Sequence, residues 1–216
     1  MRWLNLLFVL LTNGVPLYGV KLLGWSATNV LVLYWFENLL TAVFTCVRIM
    51  VHRQLTAARG YSRSNQLGLL VNGKPFTGGL LAEYATMAFV FTFAQGIFVW
   101  PMVVFAGNED TNAAMWRFSG SQFQQGAEWI ALTLALNLAI DLAGIMAWSY
   151  DQIENYAKAR MGRVIVLHLT IILGMFAMLA THAPIVILYV LIALKTLSDL
   201  ATAHKSATSA ATKDGS

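Results

Sequence analysis

Six long apolar stretches, at about residues 3–23, 27–51, 80–106, 128–150, 164–181 and 184–203, divide this 216-residue chain. About 20 apolar residues wound as a helix cross the hydrocarbon core of a bilayer. A backbone in lipid must satisfy its own polar groups, and single long apolar runs do so as helices. The fold expected is therefore all-α: a polytopic transmembrane helical bundle of about six spans, forming one domain over residues 1–204. The composition agrees, since 58% of residues are hydrophobic and only 11% charged, with a mean hydropathy of +0.63; soluble domains average about 25% charged. The polar end 205–216 is predicted to be disordered.

The first stretch begins with a charge at Arg2, as a secretory leader does. It is too long for one and lacks a small-x-small cleavage site, so a retained helix is expected. Gly14 and Pro16 fall within it, and proline removes a backbone donor there, which predicts a kink.

Cation placement sets the orientation. With both ends cytoplasmic, eleven cations (Arg2, Arg48, Arg53, Arg59, Arg63, Lys74, Lys158, Arg160, Arg163, Lys205 and Lys213) lie at inner ends or loops and two, Lys21 and Arg117, outside. That asymmetry predicts a multi-pass protein of a bacterial-type inner (plasma) membrane. Trp25, Trp100 and Trp129 are expected at the outer interface; Trp3, Trp148 and Tyr150 mark the inner one. The net charge of +4 is then a consequence of topology, and with no stacking platform or basic module it does not indicate nucleic acid as a partner. The expected partners are the lipid bilayer, anionic headgroups facing the basic 52–79 loop, and a membrane protein or a second copy of the chain. Loop 107–127, with Trp116, Phe118 and Phe123, is expected to lie partly along the outer interface.

Ala131, Ala135, Ala139, Ala143 and Ala147 recur every fourth residue, a smooth ridge that predicts close packing against a neighbouring helix. Asn137 and Asp141 share another face of that helix.

Ionisable groups inside spans are costly unless paired, and so point to function. Glu37 with Asn38, and Asp141 with Asn137, fall near mid-depth, as does Lys195. His168 and Asp199 fall nearer the inner face, and Glu83 near the inner end of its span, where a hydrated carboxylate is the simpler expectation. Lys195 and Asp199, four apart, can pair with each other, and Glu37 is a second candidate partner for Lys195. Together Glu37, Asn38, Asn137, Asp141, His168, Lys195 and Asp199 predict a buried polar cluster.

Mixed carboxylate and imidazole ligands suit zinc, iron or manganese, so Glu37, Glu83, Asp141, His168 and Asp199 form a candidate metal set, although they have no local spacing signature. His168 and His182 lie about 21 Å apart along a helix, a spacing used for two stacked haems, yet the scheme needs two more histidines at matching depths on a second span, and His52 and His204 both fall at cytoplasmic ends. The chain has no H-E-x-x-H, G-x-S-x-G, phosphate loop or C-x-x-C. Cys46, the single cysteine, permits no intrachain disulfide. The sequence does not identify a cofactor.

Asn13, Pro16-Leu17, Gly24-Trp25 and the stretch Tyr34-Trp35-x-Glu37-Asn38, with Lys195-x-x-x-Asp199, resemble a family of uncharacterised bacterial multi-pass membrane proteins classed as a domain of unknown function. The resemblance implies a helical bundle and directs attention to Glu37 and Asn38; it implies no activity. Two functional readings follow: a non-enzymatic transporter-like or complex-assembly protein whose buried charges pair or relay protons, or a membrane-embedded enzyme or metal-binding protein using the carboxylates and His168.

Overall fold

The computed structural model describes residues 14–56, 67, 69–71, 73–75, 78–105, 117–181, 193–194 and 196–197. Helix α1 covers 14–22, α2 Ala27–Thr56, α3 Gly79–Phe105, α4 Gly120–Gly144 and α5 Tyr150–Thr181. A 3-10 turn, Ile145–Ala147, follows α4, and a two-residue-per-strand hairpin, β1 Leu70–Val71 and β2 Lys74–Pro75, precedes α3. Among the described residues three helical segments are long and apolar enough to cross a membrane: Ala27–Thr56, Gly79–Trp100 and Gly120–Ala147.

Local signals explain where the helices begin. Ser26 caps α2, its Oγ accepting the Asn29 N–H at 3.1 Å. Ser149 and Gln152 form a reciprocal capping box at the start of α5: Gln152 Oε1 accepts the Ser149 N–H at 2.7 Å, and Ser149 Oγ accepts the Gln152 N–H at 3.3 Å. Between α1 and α2 the Leu23 and Trp25 N–H groups both donate to the Gly19 carbonyl, and Gly24, at φ +64°, turns the chain.

Helix α2 is central, touching α3, α4, α5 and the 3-10 turn. One packed region joins Ala42 and Ile49 of α2 to Leu80, Tyr84 and Ala88 of α3 and Ile153, Ala157 and Met161 of α5. A second sets Trp25 and Leu33 against Ile130 of α4. Gly126 permits that approach: a Cβ there would lie 2.6 Å from Leu33 Cδ1 and 2.7 Å from Trp25 Cη2.

Several expectations change. Helix α4 starts eight residues before the expected 128, taking in part of the 107–127 loop, because Phe123 and Gly126 pack against Trp25 and Leu33, and α5 starts fourteen before the expected 164, at the capping box of Ser149 and Gln152. Trp25, expected to mark the outer interface, is packed inside the protein just before α2. The alanine ridge faces outward, with Ala135, Ala139, Ala143 and Ala147 exposed; α4 packs instead through Phe123, Gly126, Ala127, Ile130 and Leu134. The expected kink at Pro16 involves residues before 14, and these, the last stretch apart from 193–194 and 196–197, His182, Lys195, Asp199 and the polar end lie outside the described residues.

Candidate functional site

The buried face of α2 is polar. Tyr34, Asn38, Thr41, Thr45, Arg48 and His52 are all buried, spaced alternately four and three residues apart, so they form one stripe along the helix. Glu37, fully buried, flanks it. An apolar helix with a polar inner stripe must supply partners from its neighbours, since an unpaired polar group in a low-dielectric interior is costly.

Arg163 of α5 supplies the partner of Glu37. Its Nη2 donates to Glu37 Oε1, and both side chains are enclosed. Beside them Asn38 Nδ2 donates to Gln95 Oε1 of α3 at 3.0 Å, while Trp35 Nε1 donates to the Thr92 carbonyl at 2.8 Å. Glu37 lies ten residues into the 30-residue α2, about 15 Å along it at a rise of 1.5 Å per residue. The centre thus joins α2, α3 and α5 well away from either end of α2.

A second pair of reversed polarity lies eleven residues further along α2. Arg48 donates through Nε and Nη2 to Asp141 Oδ2 of α4, both at 2.8 Å. The Arg48 guanidinium also lies 5.4 Å from the ring centre of Tyr156, which Arg160 covers at 4.9 Å. One turn on, His52 Nε2 lies 2.8 Å from the Trp148 carbonyl, and as an N–H it satisfies a carbonyl at the break between the 3-10 turn and α5.

The remaining candidates fall elsewhere. Glu83 is fully buried, not hydrated, and its Oε1 accepts the Leu69 N–H at 2.9 Å beside the hairpin. Asn137 is half-buried on α4, one turn before Asp141. His168 of α5 sets its ring edge-on to Phe91 and Phe98 of α3. Among the described residues no three histidine, cysteine or acidic side chains converge as a metal site would require, and the carboxylates of Glu37 and Asp141 each face an arginine. A cavity of about 280 Å³ lined by Ser26, Arg117, Ser119 and Gln122 lies at the start of α2 and includes none of these groups.

Arg163 and Gln95 are the site residues that sequence reasoning missed. Arg163 was expected at an inner interface, and Arg48 likewise, but both are buried in ion pairs. The signal for Arg163 was the capping box, which places residue 163 inside a long helix instead of before one.

The fold and site define a class: a helical protein with, among the described residues, three candidate membrane spans, whose central helix α2 holds a buried ion pair to α5 and an amide pair to α3. The chain belongs to a family of unknown function (DUF6498), whose family model matches residues 1–216. No curated protein and no solved structure matches it.

Proposed function

We propose that this chain is a multi-pass membrane protein of transporter-like, non-enzymatic type, with both ends on the cytoplasmic side of a bacterial inner membrane, and that Glu37 and Arg163 are its working centre. The observation that carries this reading is the enclosure of that ion pair between α2 and α5, from positions 126 apart in sequence. Taking two charges out of water costs several kcal/mol per ion, and a buried pair is often no more stabilising than apolar residues of the same volume. A pair of this kind is poorly explained by stability alone. It suits a centre that changes partners: protonation of Glu37 releases Arg163, and the α2–α5 contact has then lost its electrostatic tie. Arg48 and Asp141, of opposite order, hold α2 to α4 about 16 Å further along. The arginine partners of Glu37 and Asp141 favour this reading over a metal enzyme, in which those carboxylates would be ligands.

The test is proton flux in liposomes containing a trapped pH dye, driven by a potassium diffusion potential. The wild-type protein is expected to acidify or alkalinise the lumen faster than empty liposomes, and Glu37→Gln to return the rate to theirs. A wild-type rate equal to that of empty liposomes overturns proton-linked transport.

A further inference from the structure

We propose that the seam between α3 and α5, beside the ion pair, binds an uncharged, lipid-soluble carbonyl compound through Gln95 and His168. The proposal rests on the membrane reading above but not on transport. Phe91, Gln95 and Phe98 occupy one face of α3, at spacings of four and three. The His168 ring lies 5.7 Å from the Phe91 centroid and 6.1 Å from that of Phe98, edge-on to both, and Gln95 lies between these two residues on the same face of α3.

Gln95 is fully buried. Its Oε1 is taken by Asn38, whereas its Nε2 has no hydrogen-bond partner among the described residues. The same holds for Thr92 Oγ1, one turn earlier on a buried residue, and for the buried Nδ1 of His168. Buried polar atoms of native proteins are nearly always bonded, so three such atoms on this seam, two on neighbouring turns of α3 and one on the His168 ring that meets it, call for an occupant.

Their chemistry selects it. An amide Nε2 only donates; a threonine hydroxyl and, in one tautomer, an imidazole Nδ1 also donate. The occupant must therefore accept hydrogen bonds. Glu37 and Arg163 already neutralise one another nearby, so a charged ligand would stand uncompensated at this depth. The phenylalanine rings favour an apolar body. Phe98, Val166 and Leu169, around His168, are exposed, which in a bilayer opens this seam to lipid. A ketone or ester oxygen on an apolar body meets all four conditions. Quinone headgroups and glycerolipid esters share that chemistry; the proposal concerns binding alone.

The purified protein in detergent is titrated with decylubiquinone, with dioctanoylglycerol, and with decylbenzene as a carrier of the same chain without carbonyls, following quenching and thermal shift. Saturable binding of a carbonyl compound, absent for decylbenzene, supports the site, and whichever of the two binds identifies the source. His168→Phe, which keeps the ring contacts, and Gln95→Leu, which keeps the volume, are each expected to weaken binding roughly tenfold, a difference of about 1.4 kcal/mol. Non-saturating partition of both carbonyl compounds, or affinity unchanged in His168→Phe, overturns the proposal, in which case water alone satisfies these atoms. Binding is read without a proton gradient, so saturable binding with no flux removes transport and keeps the site, and flux without binding does the reverse.

Discussion

Each buried charge on α2 has one named counterpart, and the two pairs differ in enclosure. Arg48 is 3% exposed and Asp141 16%, so the acid of that pair is less enclosed than the base. Asp141→Asn keeps the shape and one acceptor oxygen while removing the charge that faces Arg48. The expected cost is about 1.5–3 kcal/mol, the range for a hydrogen bond to a charged group, seen as a lowered unfolding midpoint in detergent; a midpoint equal to the parent's would mean that Arg48 is held by the Tyr156 ring alone. Residue identity was legible where chemistry and depth coincided: Glu37, Asn38 and Asp141 stood out as polar groups in apolar windows. Partners were not legible, because which helix faces which is set by packing that no window of one sequence records. Lys195, one candidate partner for Glu37 beside its pairing with Asp199, lies outside the described residues; the structure gives Glu37 Arg163.

Among the elements, α2 shows why hydropathy hides its own most informative feature. Its polar residues are few enough to leave the segment a membrane candidate, yet they fall at a 3.5-residue period on the inner face, the reverse of a soluble amphipathic helix. The periodicity was present in the sequence, and a search for polar stripes within apolar windows would have found it. Helix α4 gives the opposite lesson. Regular alanine spacing suggested a packing face, but a smooth face serves lipid as well as a helix, and a single glycine marks the true contact. Gly126→Ala places a Cβ against Leu33 and Trp25 and is expected to cost about 1–3 kcal/mol by overpacking. Ala139→Leu, on the exposed ridge, is expected to stay within about 0.5 kcal/mol of the parent. Thermal melts of the two variants side by side check this; a reversed order would place the close contact on the ridge after all.

For the whole molecule, the Glu37–Arg163 pair is where α2 and α5, far apart in sequence, are bound into one structure. In the membrane setting proposed above, apolar burial no longer drives helices together, and close packing and polar links carry the association. Glu37 and Arg163 are the most enclosed of these ionic links, so the account stands or falls on their coupling. The direct measurement is a double-mutant cycle on the detergent-solubilised protein with Glu37→Gln, Arg163→Met and the two combined. Glu37→Gln leaves a buried guanidinium uncompensated and is expected to cost about 3–5 kcal/mol, while the double variant recovers most of that loss. Coupling of about 2 kcal/mol or more is the predicted result; effects that add within about 0.5 kcal/mol would contradict the pairing on which the fold and the proposed function both rest.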